Sequence, residues 1–99
     1  MRPEFELHQL AKRGDDARAL LDSPLLSEAF AKLRQNYIDR LMETDATQSS
    51  VRDKYWMAAR VVDVVKDQLT VMVNEGVVAK SDLDGLAQVG ERKRRFGLV

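Results

Sequence analysis

The sequence predicts an all-α protein: an elongated, antiparallel three-helix bundle with a long third helix, a short fourth helix and a C-terminal tail. Three observations predict it. Apolar residues recur three and four apart along most of the chain, and 44% hydrophobic and 32% charged residues make a charge-rich helical composition. Ser23-Pro24 and the polar run Thr44–Ser50 supply the punctuation between helices. The clearest periodicity lies between Val51 and Glu75, where Val51, Tyr55, Ala58, Val62, Val65, Leu69 and Met72 alternate in steps of four and three. A packed helix presents such a seam and a strand does not.

Helix one is expected over Glu4 to Asp22, with Leu7, Leu10, Ala11, Gly14, Ala17, Leu20 and Leu21 on one face. Gly14 falls inside that apolar stripe. Either the helix runs on and another helix approaches closely at Gly14, or it breaks there and Asp15 caps a second short helix; the sequence favours continuity. Interior glycine costs about 1 kcal/mol against alanine, too little to force a break.

Ser23 is a good N-cap, and Pro24 at the first helical position loses no hydrogen bond. Helix two then runs to about Glu43, turning Leu26, Ala29, Phe30, Leu33, Tyr37 and Leu41 inward, with Ile38 and Met42 widening the face. Thr44–Ser50 joins antiparallel helices, and Ser50 with Asp53 forms an imperfect capping box. Helix three is expected to stop at Asn74-Glu75-Gly76, where glycine can adopt the left-handed C-terminal conformation. Ser81 then caps a fourth helix holding Leu83, Leu86 and Val89. Residues 1–90 form the bundle domain, and residues 91–99 a basic, apolar-ended tail.

A helix of roughly 25 residues is about 37 Å long, whereas a compact chain of this size is only roughly 33 Å across. The expected bundle is therefore elongated. Its third helix also carries a second apolar stripe of Met57, Val61, Val64 and Val71. Either helix one covers that stripe within the chain, or another subunit does. Trp56 lies outside both stripes, near Arg60, Asp63 and Asp67. It either packs under helix one or the tail, or anchors an interface, a role in which tryptophan is enriched.

Catalytic and metal chemistry is not written here. His8 is the only histidine and cysteine is absent, so paired-histidine sites, thiolate catalysis, disulfides and cysteine–zinc sites are excluded. Asp63 and Asp67 share a face with Arg60 and Lys66 nearby, which reads as a solvated charge network. Asp82-x-Asp84-Gly85 lacks the ligand pattern of a calcium loop. Phosphate-binding loops and nucleophile elbows are missing as well. The sequence thus predicts a non-enzyme without cofactor, metal or small-molecule substrate.

A net charge of zero gives no global field to recruit nucleic acid or an acidic membrane. The one cluster is Arg92, Lys93, Arg94 and Arg95, followed by Phe96, Leu98 and Val99. It is a solvated tail, a docking element for a neighbouring subunit, or a phosphate contact releasing up to about four counterions. The N-terminus lacks the apolar run of a signal peptide, and no stretch is long and apolar enough to span a membrane. The expected location is the cytoplasm of the producing cell.

Ala17-x-x-Leu20-Leu21-x-x-Pro24, Phe30-x-x-Leu33, the Thr44-Asp45 connection, Arg52-x-x-x-Trp56 and a long helix closed by Gly76 together carry a resemblance. In this order they resemble small all-helical proteins from the structural gene modules of tailed bacteriophages, over about residues 15–80. That resemblance implies a minor virion or particle-assembly component, possible association with the virion, and no transferable functional residues. The expected partners are proteins, as a homo-oligomer or a larger particle, with nucleic acid an alternative through the tail. The candidate partner-binding residues are Trp56, Met57, Val61, Val64 and Val71 on helix three, and Arg92, Lys93, Arg94, Arg95, Phe96 and Leu98 in the tail. Competing functions are a nucleic-acid packaging or regulatory subunit and a small inhibitor of a host enzyme.

Overall fold

A computed structural model describes residues 2–95, with side chains to residue 92. Among these the chain is all-α: α1 (Glu4–Leu21), α2 (Pro24–Met42), a single 3₁₀ turn (Ala46–Gln48) and α3 (Ser49–Arg95). None of these helices is long and apolar enough to cross a membrane.

α1 passes through Gly14 without a break. It ends at Leu21, and Ser23 takes over in an extended conformation (φ −69°, ψ 116°), its side chain accepting from the Leu26 amide at 3.3 Å. Pro24 opens α2 at a position where no amide is needed. The α2–α3 connection is capped by a different box from the expected one. Asp45 accepts from the Thr47 amide at 2.8 Å, while the Gln48 side chain accepts from the Asp45 amide at 3.1 Å. Asp45 and Gln48 are three apart and carry the usual glutamine partner, which Ser50 and Asp53 lack.

The main departure is in α3, a continuous helix of 47 residues. Gly76 does not close it, no separate fourth helix follows, and residues 91–95, expected as tail, are its last turn. Phe96 and Leu98 lie outside the described residues, as do the side chains of Lys93, Arg94 and Arg95. The reason for continuity is visible in the burial pattern. Every seventh residue from Tyr55 to Leu83, namely Val62, Leu69, Gly76 and Leu83, is buried or half-buried. A helix whose inward face persists at this period gains packing that outweighs the modest glycine penalty.

The chain divides into two compact units, Ala19–Thr70, and Met1–Arg18 with Val71–Val99. In the first, α2 folds back on the N-terminal part of α3. Arg40 and Glu43 meet Val51 and Tyr55 beside the turn, and Phe30, Leu33 and Tyr37 meet Ala58, Val62 and Val65 further along, so the pair is antiparallel. Arg34 donates from Nε to both carboxylate oxygens of Asp63, at 3.1 and 3.3 Å, in an exposed pair that bridges α2 and α3. Asp63 is therefore committed across the helix pair rather than to its own helix.

In the second unit α1 packs on the C-terminal part of α3 through its smallest residues. A Cβ placed on Gly14 would lie 2.7 Å from the Gly76 Cα, and one placed on Gly76 would lie 2.8 Å from the Gly14 Cα. The backbones touch. Leu7, Ala17, Val73 and Ala79 are buried around this crossing, and Lys80 pairs with Asp15 beside it.

Candidate protein-interaction site

The seam of α3 differs from the expected one by a small rotation. Ala59 and Val73 are buried, whereas Val51 and Val65 are exposed and Ala58 and Met72 only half-buried. The second stripe stays uncovered. Met57, Val61 and Val64 are 65%, 58% and 55% exposed, and Trp56 is 52% exposed. α1 packs within the unit formed by Met1–Arg18 and Val71–Val99. Sequence periodicity gives a helix's apolar faces but not which of them its neighbour takes.

Two clefts show what this arrangement can bind. In the Ala19–Thr70 unit, an apolar groove of about 390 Å³ runs between α2 and α3 over Phe30, Leu33, Ala58, Val61 and Val65. Val61 is on its edge and continues into the stripe. Its apolar lining suits the apolar face of a third helix.

In the other unit, a cleft of about 400 Å³ has a floor of Leu7, Leu10, Val71, Val78 and Ala79. Its rim carries Arg2, Asn74, Glu75 and Asp82. Arg2 faces Glu6 at 3.9 Å, and neither Glu75 nor Asp82 forms an ion pair among the described residues. Val71, expected to continue the Met57–Val64 stripe, serves this cleft. Nothing in the sequence periodicity marked the cleft, because its floor joins residues of α1 and α3 more than 60 positions apart.

His8 is on the surface beside Glu4, at 3.6 Å. No group of three or more His, Asp or Glu side chains among the described residues is placed to hold a metal ion. Asp45 is perturbed by its own turn. The Thr47 hydroxyl, donating at 2.5 Å, and then the Thr47 amide hold its carboxyl below the ordinary aspartate range.

No known protein family matches the chain, and no curated protein or solved structure matches it either.

Proposed function

We propose that the chain is a non-enzymatic assembly protein, a minor helical component of a virion or similar particle, acting through protein–protein contacts. The observation that carries this reading is the exposure of Met57, Val61 and Val64 beside the apolar α2–α3 groove. Each such side chain gains roughly 1.5–3 kcal/mol on full burial, and contiguous apolar surface of this kind marks interaction sites. A helix from a second copy, seated in the groove, would complete the helical bundle that one chain leaves open. The particle context rests on the sequence resemblance described above, and Trp56 at the margin supplies a suitable anchor.

Light scattering across a concentration series tests the reading. The wild-type chain should self-associate, and Val61→Asp with Val64→Asp should weaken that association, giving a smaller species at each concentration with unchanged helical circular dichroism. A wild-type chain that remains monomeric at the highest concentration overturns self-assembly.

A further inference from the structure

We propose that the α1–α3 cleft is the receptor for the Arg92–Leu98 segment of a second copy of this chain. The chemistry matches on both counts. The cleft offers an apolar floor at Leu7, Leu10 and Val78 beneath two carboxylates, Glu75 and Asp82, that have no ion-pair partner among the described residues. The segment offers four consecutive cations, Arg92-Lys93-Arg94-Arg95, immediately before two apolar anchors, Phe96 and Leu98. Arginines of the segment would hydrogen-bond the rim carboxylates while its apolar side chains take the floor.

Geometry requires that the segment come from another molecule. α3 is continuous from the cleft to Arg95, so Arg95 is 13 residues beyond Asp82 and 17 beyond Val78. At 1.5 Å per residue these separations are roughly 20 and 26 Å. Leu98 is three residues past Arg95, and extended chain spans at most about 11 Å over three residues. The anchors cannot return to the floor of their own cleft.

A contact between one copy's Arg92–Leu98 segment and another copy's cleft joins two different surfaces. It is heterologous, and repetition builds a ring or an open filament rather than a closed dimer. This inference deepens the self-association reading by adding a second contact, separate from the Met57–Val64 stripe. The two contacts can be tested apart.

The first measurement is fluorescence anisotropy of a labelled peptide of residues 91–99, titrated with full-length protein carrying Phe96→Ser and Leu98→Ser, so that its own segment does not compete. Saturable binding is expected, weakened at least tenfold by Val78→Lys and by Glu75→Lys with Asp82→Lys, and weakened as salt is raised. Val78 is 60% exposed, so its replacement leaves the fold intact, which circular dichroism checks. The Val61→Asp, Val64→Asp chain should still bind the peptide, which separates this contact from the stripe. In that background, a Val78→Lys chain mixed with a Phe96→Ser, Leu98→Ser chain should form a one-to-one pair that neither forms alone. Absence of saturable binding, or binding indifferent to Val78→Lys, overturns the proposal. So does a peptide that binds a DNA duplex but not the protein, which would assign the cations to nucleic acid.

Discussion

Glycines at four positions of α1 and α3 make opposite demands. Gly14 and Gly76 are in helical conformation and are needed for what they lack, because a Cβ on either would meet backbone atoms of the other helix. Backbone cannot move aside as a side chain can. Gly76→Ala is therefore expected to destabilise the protein by about 1–3 kcal/mol, the range for overpacking, measured as a lower urea midpoint. Gly85 has nothing within 4 Å of its would-be Cβ. Gly85→Ala should stabilise by about 1 kcal/mol through helix propensity alone, and thermal denaturation should show the opposite sign from Gly76→Ala. Asp45 adds a pH dependence. Its carboxyl titrates below the unfolded value because Thr47 bonds its charged form. The stability it contributes is thus present above the unfolded value of about 3.9 and is lost as pH falls through the lower folded value. The difference in urea midpoint between wild type and Asp45→Ala should be steady near neutrality and narrow below about pH 4.

At the scale of elements, local chemistry was legible wherever a residue acts on its own neighbours. Ser23-Pro24 opens α2 as its side chain and missing amide dictate. Ser23→Ala should cost about 1 kcal/mol, the usual loss for a removed N-cap, read as a drop in melting temperature. The α2–α3 turn was legible in place but not in detail, since Asp45 and Gln48 rather than Ser50 and Asp53 form the box. α3 runs past the expected stop although Asn74-Glu75-Gly76 has the grammar of a helix end. Gly76 has two possible uses, a left-handed cap or a contact without a Cβ, and the choice depends on Gly14, 62 positions away. The heptad through Val62, Leu69, Gly76 and Leu83 was the available signal, obscured by a glycine among apolar residues.

For the molecule as a whole, apolar surface exceeds its internal cover. Among the described residues the buried hydrophobic set is Leu7, Ala17, Ala59, Val62, Val73 and Ala79, three of them alanines, while larger residues such as Trp56, Met57, Val61 and Val64 face solvent. Each unit is built from a single helix pair over most of its length, and a pair can shield only one side of each helix. Trp56 gives a convenient report on what covers the rest. If copies meet along the stripe, its emission should shift to the blue with rising protein concentration, and Val61→Asp with Val64→Asp should abolish the shift. Emission that is independent of concentration in a self-associating sample would place the contact elsewhere.

The sequence by itself determined the helical class, the α1–α2 boundary, the place of the α2–α3 connection and which residues are apolar on each helix. These follow from periodicity and capping, which act within a few residues. Tertiary structure decided that α3 continues through Gly76, that Gly14 and Gly76 meet, and that the Met57–Val64 stripe stays open. It also made the acidic-rimmed cleft from α1 and α3. Those outcomes depend on which surfaces touch, and contact between positions far apart leaves no local pattern in a single chain.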